Sequence, residues 1–430
     1  MAFELRFGGD LRLRNLDFGG LGRFRNLGLG NGPLLRTPSF GSAGHLRTLE
    51  FEGSSLKVPC VQELAKEPLT TLPLRYIRSD QDPPAVSGVC SSAQVPVIDL
   101  QRLVLGEDNP VSELEKRKVT MVFGTDHHVS PLQLDLGNRT SDLVMSDLDD
   151  RICKTTKCSS LVEKVKVENI EEFFNLPMEE KKRFWQEPGD VQGFGKAFVV
   201  SEEQKLDWAD LFYMVTLPTH LRKPHLLPKL PRLFRETMEA YSAEIKTLAM
   251  KILGFMAKPL KMKDGEMDDL FGEGMQSMRM TYYPPCLSRT YTQGRHCLSP
   301  HSDAIGLTIL LQVNEMDGLQ IKKDGLWIPI KPVAGAFIVN IGDMLEIVTN
   351  GIYRSVEHRA IVNSEKKRLS IATFHNTEFD GDLSPARSLV TPETSAVFKT
   401  MTTANFFKGL LTRELRDKSY LNVVRILTRH

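Results

Sequence analysis

The chain lacks any apolar run approaching the ~20 residues that cross a bilayer as a helix, so no membrane span and no membrane partner are expected. It also lacks an excess of charge of either sign: 55 basic residues stand against 54 acidic ones, a formal net charge of +1. That balance excludes the broad basic footprint of a nucleic-acid or membrane-surface binder. Cysteine is sparse and unframed, with six residues at 60, 90, 153, 158, 286 and 297. Such scatter argues for free thiols in a reducing compartment; a monomer in the cytoplasm is the expectation. No signal-peptide core follows the N-terminus, so Asn138-Arg139-Thr140 reads as a chance glycosylation match.

Residues 1–50 lack lysine altogether, yet hold ten glycines and seven arginines. Glycine at that density opposes stable helix or strand. Residues 1–56 therefore read as a disordered extension or as an exon wrongly joined to the chain. An organelle presequence is the rival reading, and early acidic residues (Glu4, Asp10, Asp17) with little serine argue against it. Gly28-Leu29-Gly30-Asn31-Gly32 looks like a phosphate loop but has no strand before it and no helix after it.

What is present is ordinary in bulk, 41% hydrophobic and 25% charged, and enough for a large core. Val95-Pro96-Val97-Ile98-Asp99-Leu100 reads as a short buried strand, and 159–186 as helices with Pro177 at a helix start. The clearest helix runs from about Leu233 to Lys258. Phe234, Met238, Tyr241, Ile245, Leu248, Ile252 and Phe255 form one apolar stripe, and Pro259 ends it. From 277 onward the pattern changes to strands at 277–283, 306–313, 319–323, 326–330, 336–341, 343–348, 357–362 and 368–374. Asp317-Gly318, Asp324-Gly325, Gly342-Asp343 and Asn350-Gly351 supply the turns. That number of short strands at such spacing predicts a double-sheet jelly roll with a site between its sheets.

Two features carry chemistry. His301-Ser302-Asp303 and, 55 residues beyond Asp303, His358 offer two imidazoles and one carboxylate. That set leaves metal coordination positions open and suits a non-haem Fe(II) centre that also takes up a cosubstrate and dioxygen. Arg368 and Ser370, two apart on a strand, project the same way and can hold one carboxylate. Tyr283 can add a phenol donor. An HxD pair alone is common; the downstream His358 and Arg368-Leu369-Ser370 make it a candidate oxygenase site.

Five motifs carry a family resemblance. They are Met280-Thr281-Tyr282-Tyr283-Pro284-Pro285-Cys286, Pro300-His301-Ser302-Asp303, Asn340-Ile341-Gly342-Asp343, the stretch from Asn350 to Arg359, and Arg368-Leu369-Ser370. With these the chain resembles the plant 2-oxoglutarate/Fe(II)-dependent dioxygenases, most of all the senescence-related-gene-like group with the alkaloid O-demethylases. The likeness covers roughly 57–116 and 159–430. It implies an α+β fold with a mainly β core: a double-stranded β-helix (jelly roll) at 271–400, a helical N-terminal support region within 57–270, and a C-terminal helix at 401–430. It further implies Fe(II) on His301, Asp303 and His358, and 2-oxoglutarate on Arg368 and Ser370 with Tyr283 nearby. O2 would be the second cosubstrate and ascorbate a reductant. Phe374 matches an aromatic of the substrate pocket, and Thr281 stands where the family often has Asn. The substrate class is a small plant specialised metabolite such as an alkaloid or flavonoid, oxidised by hydroxylation or oxidative O-demethylation.

One departure stands out. Where relatives carry an apolar strand ending in Asn-His-Gly, this chain has the run from Val119 to His128 and then polar text to Cys158. Segment 118–158 is expected to be an irregular excursion that has lost a core strand. His127-His128 and Cys153 with Cys158 then read as accidental, not as a zinc site. Two rival functions follow: a poorly folded, non-catalytic member, or a zinc-dependent hydrolase or lyase on the same barrel.

Overall fold

The computed structural model describes residues 58–66, 72–77, 97–99, 120–124, 170–187, 190–196, 204–223, 225–226, 232–286, 298–323, 325–332, 336–411 and 419–426. The N-terminal 1–56, the glycosylation match, His127-His128, Cys153 and Cys158, and the helix expected at 159–169 lie outside them.

In chain order the strands are β1 (Val97–Asp99), β2 (Thr120–Gly124), β3 (Gly193–Gly195), β4 (Asp210–Leu217), β5 (Gln276–Tyr283), β6 (Leu298–His301), β7 (Leu307–Gln312), β8 (Leu319–Lys323), β9 (Leu326–Pro329), β10 (Ala336–Ile341), β11 (His358–Ala360), β12 (Arg368–His375), β13 (Asp382–Leu383) and β14 (Met401–Thr402). The helices are α1 (Val61–Leu64), α2 (Glu171–Asn175), α3 (Met178–Lys181), α4 (Arg232–Ala257), α5 (Glu266–Phe271), α6 (Asp343–Val348), α7 (Thr403–Leu411) and α8 (Ser419–Val424). The large sheet runs β1-β2-β10-β7-β12-β5-β4-β3 and the small one β6-β11-β8-β9. This is the jelly-roll core that the strand spacing predicts.

Strand alternation builds both faces of the large sheet. On β12, Arg368, Ser370, Ala372 and Phe374 face a cleft, with Thr281 opposite Ser370 and Tyr283 opposite Arg368 on β5. Leu369 and Ile371, at the odd positions, join the main core with α4 behind the sheet. The α4 stripe is buried from Phe234 to Ile252 as expected. At its end Met256 is buried while Phe255 is only half-buried. A stripe stepping four and three averages 3.5 residues, and a helix of 3.6 rotates it away by about 20° per heptad. Ahead of the sheet, Phe173 of α2 stacks on Phe212 of β4 at 4.7 Å and on Phe234 of α4 at 5.9 Å, which locks helix to sheet. Asp210 of β4 accepts the Val61 and Gln62 amides at 2.9 and 2.8 Å and so anchors α1.

Three expectations are corrected. Residues 343–348 form helix α6, not a strand. All six are buried, so a continuous apolar run carries no period that separates strand from helix. Residues 120–124, inside the segment expected to be irregular, form β2. It pairs antiparallel with β10 (Phe337 opposite Phe123) and parallel with β1 (Ile98 opposite Phe123). The chain keeps a strand there without the Asn-His-Gly ending, which removes the basis for a family member short of that strand. Finally, β6 carries Pro300 and His301 of the metal motif, where no strand was expected, and β3 and β4 also lie in a stretch given no strand.

His375 ends β12 with both ring nitrogens buried and without a hydrogen-bond partner. Burial, aided by the Lys246 charge, pushes its pKa down to about 3. The folded state thus holds a neutral ring that the unfolded chain protonates below about pH 6.5. The stability this gives is present above pH 6.5 and lost as pH falls toward 3. At pH 5 the loss is on the order of 2 kcal/mol. Urea unfolding of the parent at pH 7 and pH 5, compared with His375→Gln, should show a shallower acid slope in the variant; equal slopes would contradict it.

Candidate active site

The site begins with a cross-strand pair. In the small sheet, His301 of β6 sits directly opposite His358 of β11, with ring centroids 4.3 Å apart. Asp303 follows in the turn toward β7, and its Oδ1 is 3.8 Å from both His301 Nε2 and His358 Nε2. The two histidines therefore share one sheet, and the turn carries the carboxylate in from its edge; they do not come from opposed sheets. Asp303 is buried, and its Oδ2 accepts the Thr308 hydroxyl at 2.6 Å and the Asn340 amide at 2.9 Å. Those two donors turn Oδ1 toward the imidazoles. Burial alone would raise the Asp303 pKa. The facing His358 ring, and after it the His301 ring and the Thr308 hydroxyl, act the other way, and the carboxyl sits well below its usual range. His358 Nδ1 lies 3.2 Å from the Val356 carbonyl, which accepts its N–H and leaves the Nε2 lone pair for the shared centre.

These three residues form a cluster whose ligand atoms all fall within 4.8 Å of one another. They open onto one cleft. Every site residue named from the sequence lines it: His301, Asp303, His358, Arg368, Ser370, Tyr283, Thr281 and Phe374. Arg368 Nη1 donates to Ser370 Oγ at 3.3 Å and Nη2 to Gln312 Oε1 at 3.2 Å, while its buried Nε has no partner. Tyr283 meets Arg368 through its ring face, 5.1 Å from the guanidinium carbon, so it braces the cation as well as offering a phenol. The Arg368 side chain passes over Gly318, where a Cβ would come within 2.8 Å of Arg368 Cδ and 2.9 Å of the Ile361 carbonyl.

Sequence reasoning missed Thr308, Asn340, Gln312 and Arg279. Asn340 lay in a quoted motif without a role. Arg279 follows from the alternation Arg279-Thr281-Tyr283 on β5 once that strand's cleft face is known; its Nε is buried with no partner.

A fold that brings a His-Asp-His cluster and a buried guanidinium with one unpartnered N–H into one cleft has the features of an Fe(II) oxygenase that takes an oxo-acid cosubstrate. Comparison with known proteins agrees. The profile of the 2OG-Fe(II) oxygenase superfamily matches residues 274–377, and that of the non-haem dioxygenase in morphine synthesis N-terminal region matches 156–230. Protein SRG1 of Arabidopsis thaliana is 49% identical, across 87% of this chain and 98% of that protein. Oxoglutarate-dependent flavonoid 7-O-demethylase 1 of Ocimum basilicum is 48% identical, across 87% and 92%. The crystal structure of JOX2 in complex with 2OG, Fe and JA superposes with a TM-score of 0.70 at 30% identity, across 86% of this chain and 99% of that one. The chain belongs to the 2OG-Fe(II) oxygenase superfamily. It is an enzyme, with Fe(II) as cofactor and 2-oxoglutarate as cosubstrate.

The donor set fits both groups. Two ligand atoms at about 2.1 Å from one ion lie at most about 4.2 Å apart, so the two 3.8 Å gaps from Asp303 Oδ1 to the imidazoles admit it. The buried Arg368 Nε has no partner, and the Ser370 hydroxyl lies against the same side chain's Nη1; both are donors of the kind a carboxylate takes.

Proposed function

We propose that His301, Asp303 and His358 hold the Fe(II), that Arg368 and Ser370 hold the distal carboxylate of 2-oxoglutarate against Tyr283, and that the substrate is a small flavonoid- or alkaloid-like metabolite. The unpaired Arg368 Nε in the cleft of the His-Asp-His cluster is the observation that carries this reading. When bound, Fe(II) with O2 and 2-oxoglutarate supplies the oxidising power to hydroxylate a C–H bond, releasing succinate and carbon dioxide.

The chain's own residues do the positioning. Asp303 and the two imidazoles supply ligand atoms already turned inward by Thr308, Asn340 and the Val356 carbonyl. Leu310, Leu319, Ile321, Ile338 and Val356 give the cleft an apolar wall that excludes water and accepts a flat ring system. Arg279 and Thr281 are the polar groups on the wall, placed to orient a substrate oxygen, and Phe374 closes that side. Hydroxylating an O-methyl carbon gives a hemiacetal that falls apart into formaldehyde and the free hydroxyl, so demethylation and hydroxylation share their first step. Methoxylated relatives of the two classes should therefore release formaldehyde and succinate in equal amounts. Succinate without formaldehyde, with an oxygen added to the product, would turn the reading to hydroxylation; no coupled succinate with any member of either class would overturn the substrate assignment. A monomer in the cytosol is part of the same proposal; the buried free thiol at Cys60 fits a reducing compartment.

Gly318 gives a separate check. A methyl group there must displace Arg368 or the Ile361 backbone, at a cost of about 1–3 kcal/mol. Gly318→Ala is expected to raise the half-saturating 2-oxoglutarate concentration roughly fivefold or more, with a smaller change in kcat. An unchanged half-saturation in succinate-release assays would mean that Arg368 is not the anchor.

A further inference from the structure

A chain of buried polar contacts runs from the C-terminal segment to the metal motif. It begins at Arg425, just past α8, whose Nη2 donates to Glu346 Oε1 at 2.5 Å. Glu346 of α6 is fully buried, and its Oε2 accepts the Ser355 amide at 2.8 Å and faces the Ser355 hydroxyl at 3.0 Å. That hydroxyl lies 2.5 Å from Asp343 Oδ1. The other oxygen of Asp343 accepts the hydroxyl of Ser302 at 3.2 Å, and Ser302 stands between His301 and Asp303. The backbone repeats the link: the Asp343 amide donates to the Asp303 carbonyl at 2.8 Å and the Met344 amide to the Ile305 carbonyl at 3.1 Å. Gly342 lets the helix come this close, since a Cβ there would collide with the Ile305 carbonyl.

The far end is equally fixed. The Arg425 guanidinium lies 4.7 Å above the Phe398 ring. The backbone on either side is pinned by Lys399 N to Val424 O at 3.0 Å and Ile426 N to Val397 O at 2.9 Å.

From these contacts we infer that Arg425 is a positioning residue for the metal centre, acting through Glu346, Ser355, Asp343 and Ser302. The inference rests on the reading of His301, Asp303 and His358 as the Fe(II) ligands. A buried carboxylate at Glu346 needs compensating charge, and Arg425 contributes it through a direct ion pair. With that charge balanced, α6 keeps its first turn seated on the 303–305 backbone, and Asp303 and the Ser302 hydroxyl stay in register with the two histidines. Without Arg425, Glu346 must draw water or another donor, and the seat of α6 shifts where the ligands are held.

The test is anaerobic Fe(II) titration of the full-length apo-protein, with melting curves recorded alongside. Arg425→Ala should weaken Fe(II) binding about tenfold. Arg425→Lys, which keeps the charge, should recover most of it. The double variant Arg425→Met with Glu346→Gln should also bind within about threefold of the parent, because it removes the unpaired charge and keeps the acceptor for Ser355. If Arg425→Ala yields no folded protein, Ser355→Ala cuts the same relay without orphaning Arg425 and should show the loss. Parental Fe(II) affinity in Arg425→Ala, or in Ser355→Ala where that stands in, makes the contact merely structural and overturns the inference, even if the melting temperature falls. A parent that takes up no Fe(II) overturns the metal reading itself and the inference with it; the two failures are thus told apart.

Discussion

His301→Ala, Asp303→Ala and His358→Ala should each abolish Fe(II)-dependent turnover while leaving a cooperatively folded protein. Three ligands are the minimum for a site that keeps positions open, so removing one forfeits both affinity and geometry. The jelly roll does not need the metal to fold, because its core is the apolar face shared with α4. The three variants should nevertheless differ in stability. Loss of either imidazole removes a half-buried or buried ring at the cleft wall and little else. Loss of the Asp303 carboxylate strands the Thr308 hydroxyl and the Asn340 amide, both buried, at roughly 1–3 kcal/mol. Asp303→Ala should thus melt lowest of the three. Full activity in Asp303→Ala would sink the ligand assignment.

Arg368→Lys should have the second-largest effect. The charge survives, but the fork that meets Ser370, Gln312 and the incoming carboxylate does not. Loss of that geometry is worth on the order of 1–3 kcal/mol, which is roughly ten- to a hundredfold in the half-saturating 2-oxoglutarate concentration. The maximal rate at saturating cosubstrate should fall much less. Succinate release followed against 2-oxoglutarate concentration separates the two, and an unchanged half-saturation would place the cosubstrate elsewhere.

Legibility in the sequence tracked local period. Arg368, Ser370 and Phe374 were readable because a strand puts every second residue on one face. The α4 stripe was readable until 3.6 and 3.5 drifted apart at Phe255. Short elements were not. A strand of four residues containing Pro300 reads as loop, yet β6 brings His301 opposite His358. The run Asp343 to Val348 is buried all round and carries no period, so its helix was taken for a strand. β2 was discounted because it lacks an expected ending, although Thr120–Gly124 still completes the ladder beside β10. Long-range pairs left no local signal at all. Arg425 and Glu346 are 79 residues apart in the chain, and only the fold joins them. Arg279 likewise reads as a surface residue until its partner strand shows which face is the cleft.

The central claim is that one cleft holds Fe(II) on His301, Asp303 and His358 and 2-oxoglutarate on Arg368 and Ser370. Anaerobic titration of the apo-protein with Fe(II), with and without 2-oxoglutarate, tests it most directly. One equivalent of Fe(II) should produce a weak visible charge-transfer band only when 2-oxoglutarate is present. The band should vanish in His301→Ala and require far more 2-oxoglutarate in Arg368→Lys. A parent protein whose Fe(II) spectrum is the same with and without 2-oxoglutarate would contradict the account.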